Sequence, residues 1–219
     1  MHEGNFEDDK MHGQGKHTYA NGDVYEGTFE DGKRHGQGKL TYANGDIYKG
    51  GHKEGKKHGQ GKYTYANGDI YKGGYSNDKK HGPGKLIFST GDIHQLDWKE
   101  GKAEGQGRII YVDGSVYEGG IKYIRYGKGK YKYANGDVYE GGFGEGKRHG
   151  QGKLTSANGT VFEGGYKDGK MHGYGTFTHI NGDVYDGGWK NDKKHGYGIL
   201  TSADRIIYEG GWKDDERLS

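Results

Sequence analysis

Histidine precedes glycine seven times, at 12, 35, 58, 81, 149, 172 and 195. Imidazole ligates metals and moves protons near neutral pH, so these are the first candidates for chemistry. Bases stand beside most of them: Lys33-Arg34, Lys56-Lys57, Lys79-Lys80, Lys147-Arg148 and Lys193-Lys194. Carboxylates share the same stretches, as Glu30-Asp31, Glu54, Asp78, Glu145 and Asp192. Acid, base and imidazole together could in principle serve acid–base catalysis or hold a cation. Their recurrence argues otherwise. An active site needs one unlike place, and these groups repeat along the chain. There is no cysteine nucleophile and no Gly-x-Ser-x-Gly. The Gly-x-Gly pairs are not Gly-x-Gly-x-x-Gly and open no helix, so no phosphate loop or cofactor is implied. The reading is a non-enzymatic chain with no metal, its histidines structural. A pH response through them is a residual hypothesis.

The repetition has a fixed period. Tyr25 opens a stretch that begins again at Tyr48, and the position recurs at Tyr71, His94, Tyr117, Tyr139, Phe162, Tyr185 and Tyr208. The register extends back to His2. A period in this range signals a stacked repeat architecture. Residues 1–219 read as a single array of about nine repeats, irregular at 94–98 and 121–126. Leu, Ile, Val and Phe make up about one residue in seven, a share usual for disordered chains. Yet 20 tyrosines hold a strict register and net charge is only +2, so a thin structure with an aromatic strip per repeat is expected. With 48 glycines and one proline, glycine marks special backbone positions rather than a linker. Lys and Arg total 33 against 31 Asp and Glu, which excludes a nucleic-acid surface. No cysteine, no signal peptide and no membrane-length apolar run point to the cytoplasm. Asn158-Gly159-Thr160 then reads as a turn rather than a glycosylation site.

Two strand-like runs fill each unit. In Val24–Phe29, Tyr25, Gly27 and Phe29 share a face; in Gly38–Tyr42, Leu40 and Tyr42 do. Helix is disfavoured by the frequent glycines and β-branched or aromatic residues. Asn-Gly follows at 21, 44, 67, 135, 158 and 181, a hairpin signal in which both turn residues take positive φ. Such a turn places Tyr42 opposite Ile47. Glu30 to His35 reads as a longer solvated loop. The expectation is all-β: an elongated, twisted, single antiparallel sheet of tandem hairpins, with a groove on one face. The sheet should advance roughly 10 Å per repeat and coil through its right-handed twist. Nine Gly-x-Gly pairs should leave bare backbone on which the Tyr25-type rings lie. His94-Gln95-Leu96-Asp97-Trp98 and Ile121–Tyr126, one residue short, predict a bend or altered groove. The chain begins and stops within a unit, so it is either a fragment or able to self-associate through exposed sheet ends.

The run Tyr-Glu-Gly-x-Phe-x-x-Gly-Lys-x-His-Gly-x-Gly, at 25–38 and again at 139–152, resembles the MORN (membrane occupation and recognition nexus) repeat. The resemblance covers almost the whole chain. It implies an elongated twisted sheet with an aromatic-lined groove, and scaffolding at the cytoskeleton, cilium or membrane junctions. It implies a partner helix in the groove, and anionic phospholipid as an alternative ligand.

Two sets of candidate site residues follow. Partner binding falls to two aromatic files: Tyr25, Tyr48, Tyr71, Tyr117, Tyr139, Phe162, Tyr185 and Tyr208, with Phe29, Tyr75, Trp98, Phe143, Tyr166, Trp189 and Trp212. Most of these rings should glue the repeats, and exposed ones should grip a helical or extended peptide, because Tyr and Trp dominate hot spots. Phospholipid contact would fall to Lys33, Arg34, Lys56, Lys57, Lys79, Lys80, Lys147, Arg148, Lys193 and Lys194, a mildly basic edge. Solubility is the simpler use of those charges.

Overall fold

The structure is a computed structural model that describes residues 2–202 and 205–219. These form strands and turns, with no helix among the described residues. The chain divides into two compact units, Met1–Val112 and Asp113–Ser219. Unit 1 holds β1 (His2–Glu7), β2 (Lys10–Thr18), β3 (Val24–Glu30), β4 (Lys33–Thr41), β5 (Ile47–Lys53), β6 (Lys56–Thr64), β7 (Ile70–Ser76), β8 (Lys79–Ile87), β9 (Ile93–Lys99) and β10 (Lys102–Ile110). Unit 2 holds β11 (Val116–Lys122), β12 (Ile124–Lys132), β13 (Val138–Gly144), β14 (Lys147–Thr155), β15 (Val161–Lys167), β16 (Lys170–Thr178), β17 (Val184–Lys190), β18 (Lys193–Ser202), β19 (Arg205–Lys213) and β20 (Glu216–Arg217). Within each unit every strand pairs antiparallel with the next. The all-β meander of tandem hairpins therefore stands.

The turns differ from the expectation, and the two kinds exchange roles. Asp31 and Gly32 both take positive φ, 48° and 75°, and Glu30 pairs directly with Lys33. This is the tight two-residue turn whose twist matches the strands. Glu30–His35 is thus no loop: Lys33, Arg34 and His35 already belong to β4. At the other end only Gly45 is left-handed, with φ 92°. Tyr42 N donates to Asp46 O at 2.9 Å and Gly45 N to Tyr42 O at 3.0 Å, a three-residue connection. Ile47 consequently faces Thr41, not Tyr42. Asn44 contributes its side chain instead: Oδ1 accepts from Asp46 N at 3.0 Å. Asp46 Oδ1 then accepts from Ala66 N, at the next turn of that edge, at 2.8 Å. Asp23, Asp69 and Asp137 repeat this staple.

The glycines line up across strands. Gly15, Gly27, Gly38, Gly50, Gly61, Gly73 and Gly84 face one another in register through β2–β8. Gly119 begins a corresponding row in unit 2. The aromatic rings lie on this row. A Cβ added to Gly61 would stand 2.5 Å from Tyr48 Cε2, so only glycine admits the ring there. The tyrosine hydroxyl reaches across and donates to the carbonyl three residues on, as Tyr48 to Gly51 at 2.9 Å and Tyr71 to Gly74 at 3.1 Å. The ring buries apolar area while its polar tip is satisfied.

Each hairpin carries a bulge. Between the pairs Gly27–Gly38 and Phe29–Arg34, three residues of β4 oppose Thr28 alone. Gly36, at φ 59°, sits at its centre. The bulge restores Arg34 to the same face as Phe29. The irregular units keep the architecture. In β9, Leu96 takes the glycine position and is buried. His94 is shorter than tyrosine, so the leucine side chain fills the space a ring would cover. In 121–126 the missing residue shortens the turn, leaving Tyr123 alone at φ 67° between paired Lys122 and Ile124.

Candidate functional site

Side chains alternate across a strand, so each repeat has two chemically unlike faces. The inner face carries the aromatics. Tyr25, Tyr48, Tyr71, Tyr117, Tyr139 and Tyr185 are fully buried, and Phe162 nearly so. Over them, Phe29, Tyr75, Phe143, Tyr166, Trp189 and Trp212 are also buried. They meet the first file edge-on, at 5.0 Å for Tyr25–Phe29 and 5.1 Å for Tyr48–Tyr75. Of the fifteen candidate partner-binding aromatics only Trp98 and Tyr208 keep appreciable surface. The others are covered by their own repeats and hold the array together. Burial pushes the hydroxyl of Tyr25, Tyr71, Tyr139 and Tyr185 up to about 12.

The ten candidate bases split by face. Lys33, Lys56, Lys79, Lys147 and Lys193 are exposed, and two of them meet the next turn's carboxylate: Lys33–Glu54 at 2.6 Å and Lys79–Glu100 at 2.7 Å. The second base of each pair turns to the aromatic face and is half-buried there. The pairs therefore do not form one edge. Lys57 Nζ stands 5.0 Å from the Tyr63 centroid and 5.6 Å from those of Tyr42 and Tyr48. It also donates to Tyr42 Oη at 3.1 Å. Lys80 Nζ lies 4.6 Å from Tyr71 and 4.4 Å from Trp98. Burial holds both ammonium groups below the usual lysine range. Arg34 lies over Tyr25 and donates Nε and Nη2 to the Gly55 carbonyl; Arg148 lies over Tyr139 and Tyr166 and grips Gly169 likewise. In unit 2, Lys194 lies over Tyr185 and Trp212. Each such contact is worth about 0.5–2 kcal/mol, rising with desolvation.

What remains accessible on this face is a third set of rings, which sequence reasoning left out of the site. Tyr19, Tyr42, Tyr63 and Tyr65 are half-buried and pack against the core of unit 1. The signal was present in Leu40-Thr41-Tyr42 and Tyr63-Thr64-Tyr65, where apolar residues two apart share a face. His52, also not singled out, takes the Phe29 position in its repeat and is buried between Tyr25 and Tyr48. Burial and then Arg34 lower its pKa to about 4. Several glycine-preceding histidines lie near turn carboxylates, His35 to Glu30 at 2.6 Å and His195 to Asp214 at 3.7 Å. Among the described residues no three His, Asp or Glu side chains converge as metal ligands. No helix among them is long and apolar enough to cross a membrane.

The MORN repeat family model matches ten times, at residues 2–24, 25–47, 48–70, 71–93, 97–116, 117–138, 139–161, 162–184, 185–205 and 208–217. No curated protein sequence matches the chain. Among solved structures, the CPAP G-box domain, for which a role in centriole elongation is suggested, shares 12% identity. It matches at TM-score 0.51 over 85% of this chain and 96% of its own. The TCP10 domain of Danio rerio CPAP shares 12% identity at TM-score 0.48, covering 91% of this chain and 89% of its own. The TCP domain of Drosophila melanogaster SAS-4, solved with a proline-rich motif of Ana2, shares 20% identity at TM-score 0.45, covering 71% and 85%. At these identities the likeness concerns the fold alone.

Proposed function

The chain belongs to the MORN repeat family, and from that premise we propose that it is a non-enzymatic scaffold that holds a protein partner on its aromatic face. The observation that carries this is the set of half-buried rings Tyr42, Tyr63 and Tyr65 beside the partly desolvated cations Lys57 and Lys80. Tyrosine offers a large contact area at low entropic cost and is enriched at binding hot spots. Partly desolvated ammonium groups gain from an acceptor that a partner brings, such as the terminal carbonyls of a helix. An amphipathic helix or extended segment supplies both an apolar face and such acceptors. Within unit 1 the covered rings Tyr25, Phe29, Tyr48, Tyr71 and Tyr75 support the surface from beneath, and Trp98 extends it. Catalysis has no support: titratable groups recur along the repeats, and among the described residues no cluster is set apart by burial and geometry together.

The test is selection of peptides from a display library on the full chain, then affinity measurement with variants. Tyr42→Ala and Tyr65→Ala are expected to weaken binding at least about tenfold, the scale of a hot-spot residue. Lys33→Glu and Lys56→Glu are expected to leave it unchanged. Vesicles containing phosphoinositides form the opposing arm. Salt-sensitive vesicle binding lost on the lysine reversals, with peptide binding indifferent to the tyrosines, overturns the reading in favour of a membrane surface.

A further inference from the structure

The outer face of unit 1 carries a charge pattern that the repeat does not require. Lys39, Lys49, Lys62, Lys72 and Lys85 stand directly opposite one another across β4–β8. Lys39 has Glu26 at 3.5 Å; the other four have no ion-pair partner among the described residues. Like charges directly opposite on neighbouring strands are destabilising. Unit 2 shows the alternative at equivalent positions: Lys130 faces Glu140 at 2.7 Å and Lys153 faces Glu163 at 3.7 Å. The fold therefore accommodates compensated charge here, and unit 1 lacks it over the four consecutive strands β5–β8.

Lys39, Lys49, Lys62 and Lys72 of this row form one wall of a groove of about 720 Å³ that crosses these strands. Its floor is the backbone of Gly38, Gly50, Gly61 and Gly73, and Gln37, Gln60 and Pro83 form the other side. We propose that this groove binds an extended peptide rich in aspartate and glutamate, laid across the strands. Three features select that occupant. Four lysines spaced by one strand, about 4.8 Å, give a basic strip of about 14 Å, the span of roughly four extended residues. On this face the floor presents only main chain, because any side chain at the glycine positions would point to the aromatic face. Gln37 and Gln60 present both donors and acceptors, which suit peptide N–H and C=O groups, whereas a phosphate surface offers acceptors. The groove lies on the opposite face from the half-buried rings, so it is a second surface, and its failure would leave the scaffold reading untouched.

Fluorescence anisotropy of the full chain with a labelled peptide of alternating glutamate and serine, about eight residues long, tests it. The glutamine–serine peptide is the control. Binding of the glutamate peptide is expected to weaken steeply between about 50 mM and about 200 mM salt. The triple variant Lys49→Gln, Lys62→Gln, Lys72→Gln is expected to lose about tenfold or more, and the corresponding Lys→Arg variant to keep binding. Lys130→Gln with Lys153→Gln is expected to have no effect. The triple glutamine variant should melt no lower than the parent, because it relieves repulsion. Absence of binding at low salt, equal binding of the control peptide, or equal loss from the unit 2 variant overturns the proposal. Tighter binding of tripolyphosphate, or of phosphatidylserine vesicles, through the same lysines also overturns it and assigns the groove to phosphate.

Discussion

His52 offers the sharpest test of how the aromatic face is held together. Neighbouring repeats place Phe29 and Tyr75 at its position. The imidazole is 4% exposed, edge-on to Tyr25 at 4.9 Å and to Tyr48 at 5.2 Å, and faces Lys57 across the strand pair. Burial first and the Arg34 charge second lower its pKa from 6.5 to about 4. The folded chain thus favours neutral imidazole, and the unfolded chain takes up the proton first as pH falls. The stability it contributes is fully present above about pH 6.5 and is lost progressively as pH drops to about 4. Between about pH 7 and about pH 5, the loss from this one residue comes to about 2 kcal/mol, since a tenfold change in proton affinity is worth about 1.4 kcal/mol. Other histidines and carboxylates titrate in the same window, so the informative quantity is a difference. His52→Phe restores the residue found at Phe29 and removes the titration. Chemical denaturation of both chains at the two pH values should show the wild type losing about 2 kcal/mol more than the variant. Equal losses would refute the claim that this imidazole is held neutral by its surroundings.

The glycine row and the turn staples make further predictions. Gly61→Ala puts a Cβ 2.5 Å from Tyr48 Cε2, whereas at Gly59 nothing lies within 4 Å and only its φ of 73° opposes alanine. Denaturation midpoints should report about 3 kcal/mol for Gly61→Ala and about 1 kcal/mol for Gly59→Ala; equal costs would contradict the ring-on-backbone account. Asp46→Ala removes acceptors for Ala66 N at 2.8 Å and Tyr63 Oη at 2.7 Å. It should cost about 2 kcal/mol and abolish hydrogen-exchange protection at the Ala66 amide, while Asp46→Asn keeps most of both.

Whatever a few consecutive residues encode was legible before any fold was known. Period and alternation sufficed for tandem hairpins without helix. Glycine two residues from glycine, with a tyrosine recurring in most units, sufficed to place rings on bare backbone. The turns were legible only as chain reversals. Asn44-Gly45 suggested the tight turn, yet Asp31-Gly32 forms it, because pairing of Glu30 with Lys33 takes the following bases into the strand. Whether a residue is covered depends on neighbours about one repeat away. Tyr25 is enclosed by His52 as well as by Phe29, and Arg34 reaches Gly55 in the next turn. Lys33 and Arg34 are adjacent in sequence and part to opposite faces, since successive residues of a strand do so. The basic row needed more still: Lys39 to Lys85 are ordinary surface lysines until strand register sets them in line. Backbone conformation is settled over a few bonds, whereas facing, covering and charge alignment are properties of paired strands, and those strands meet only in the folded sheet.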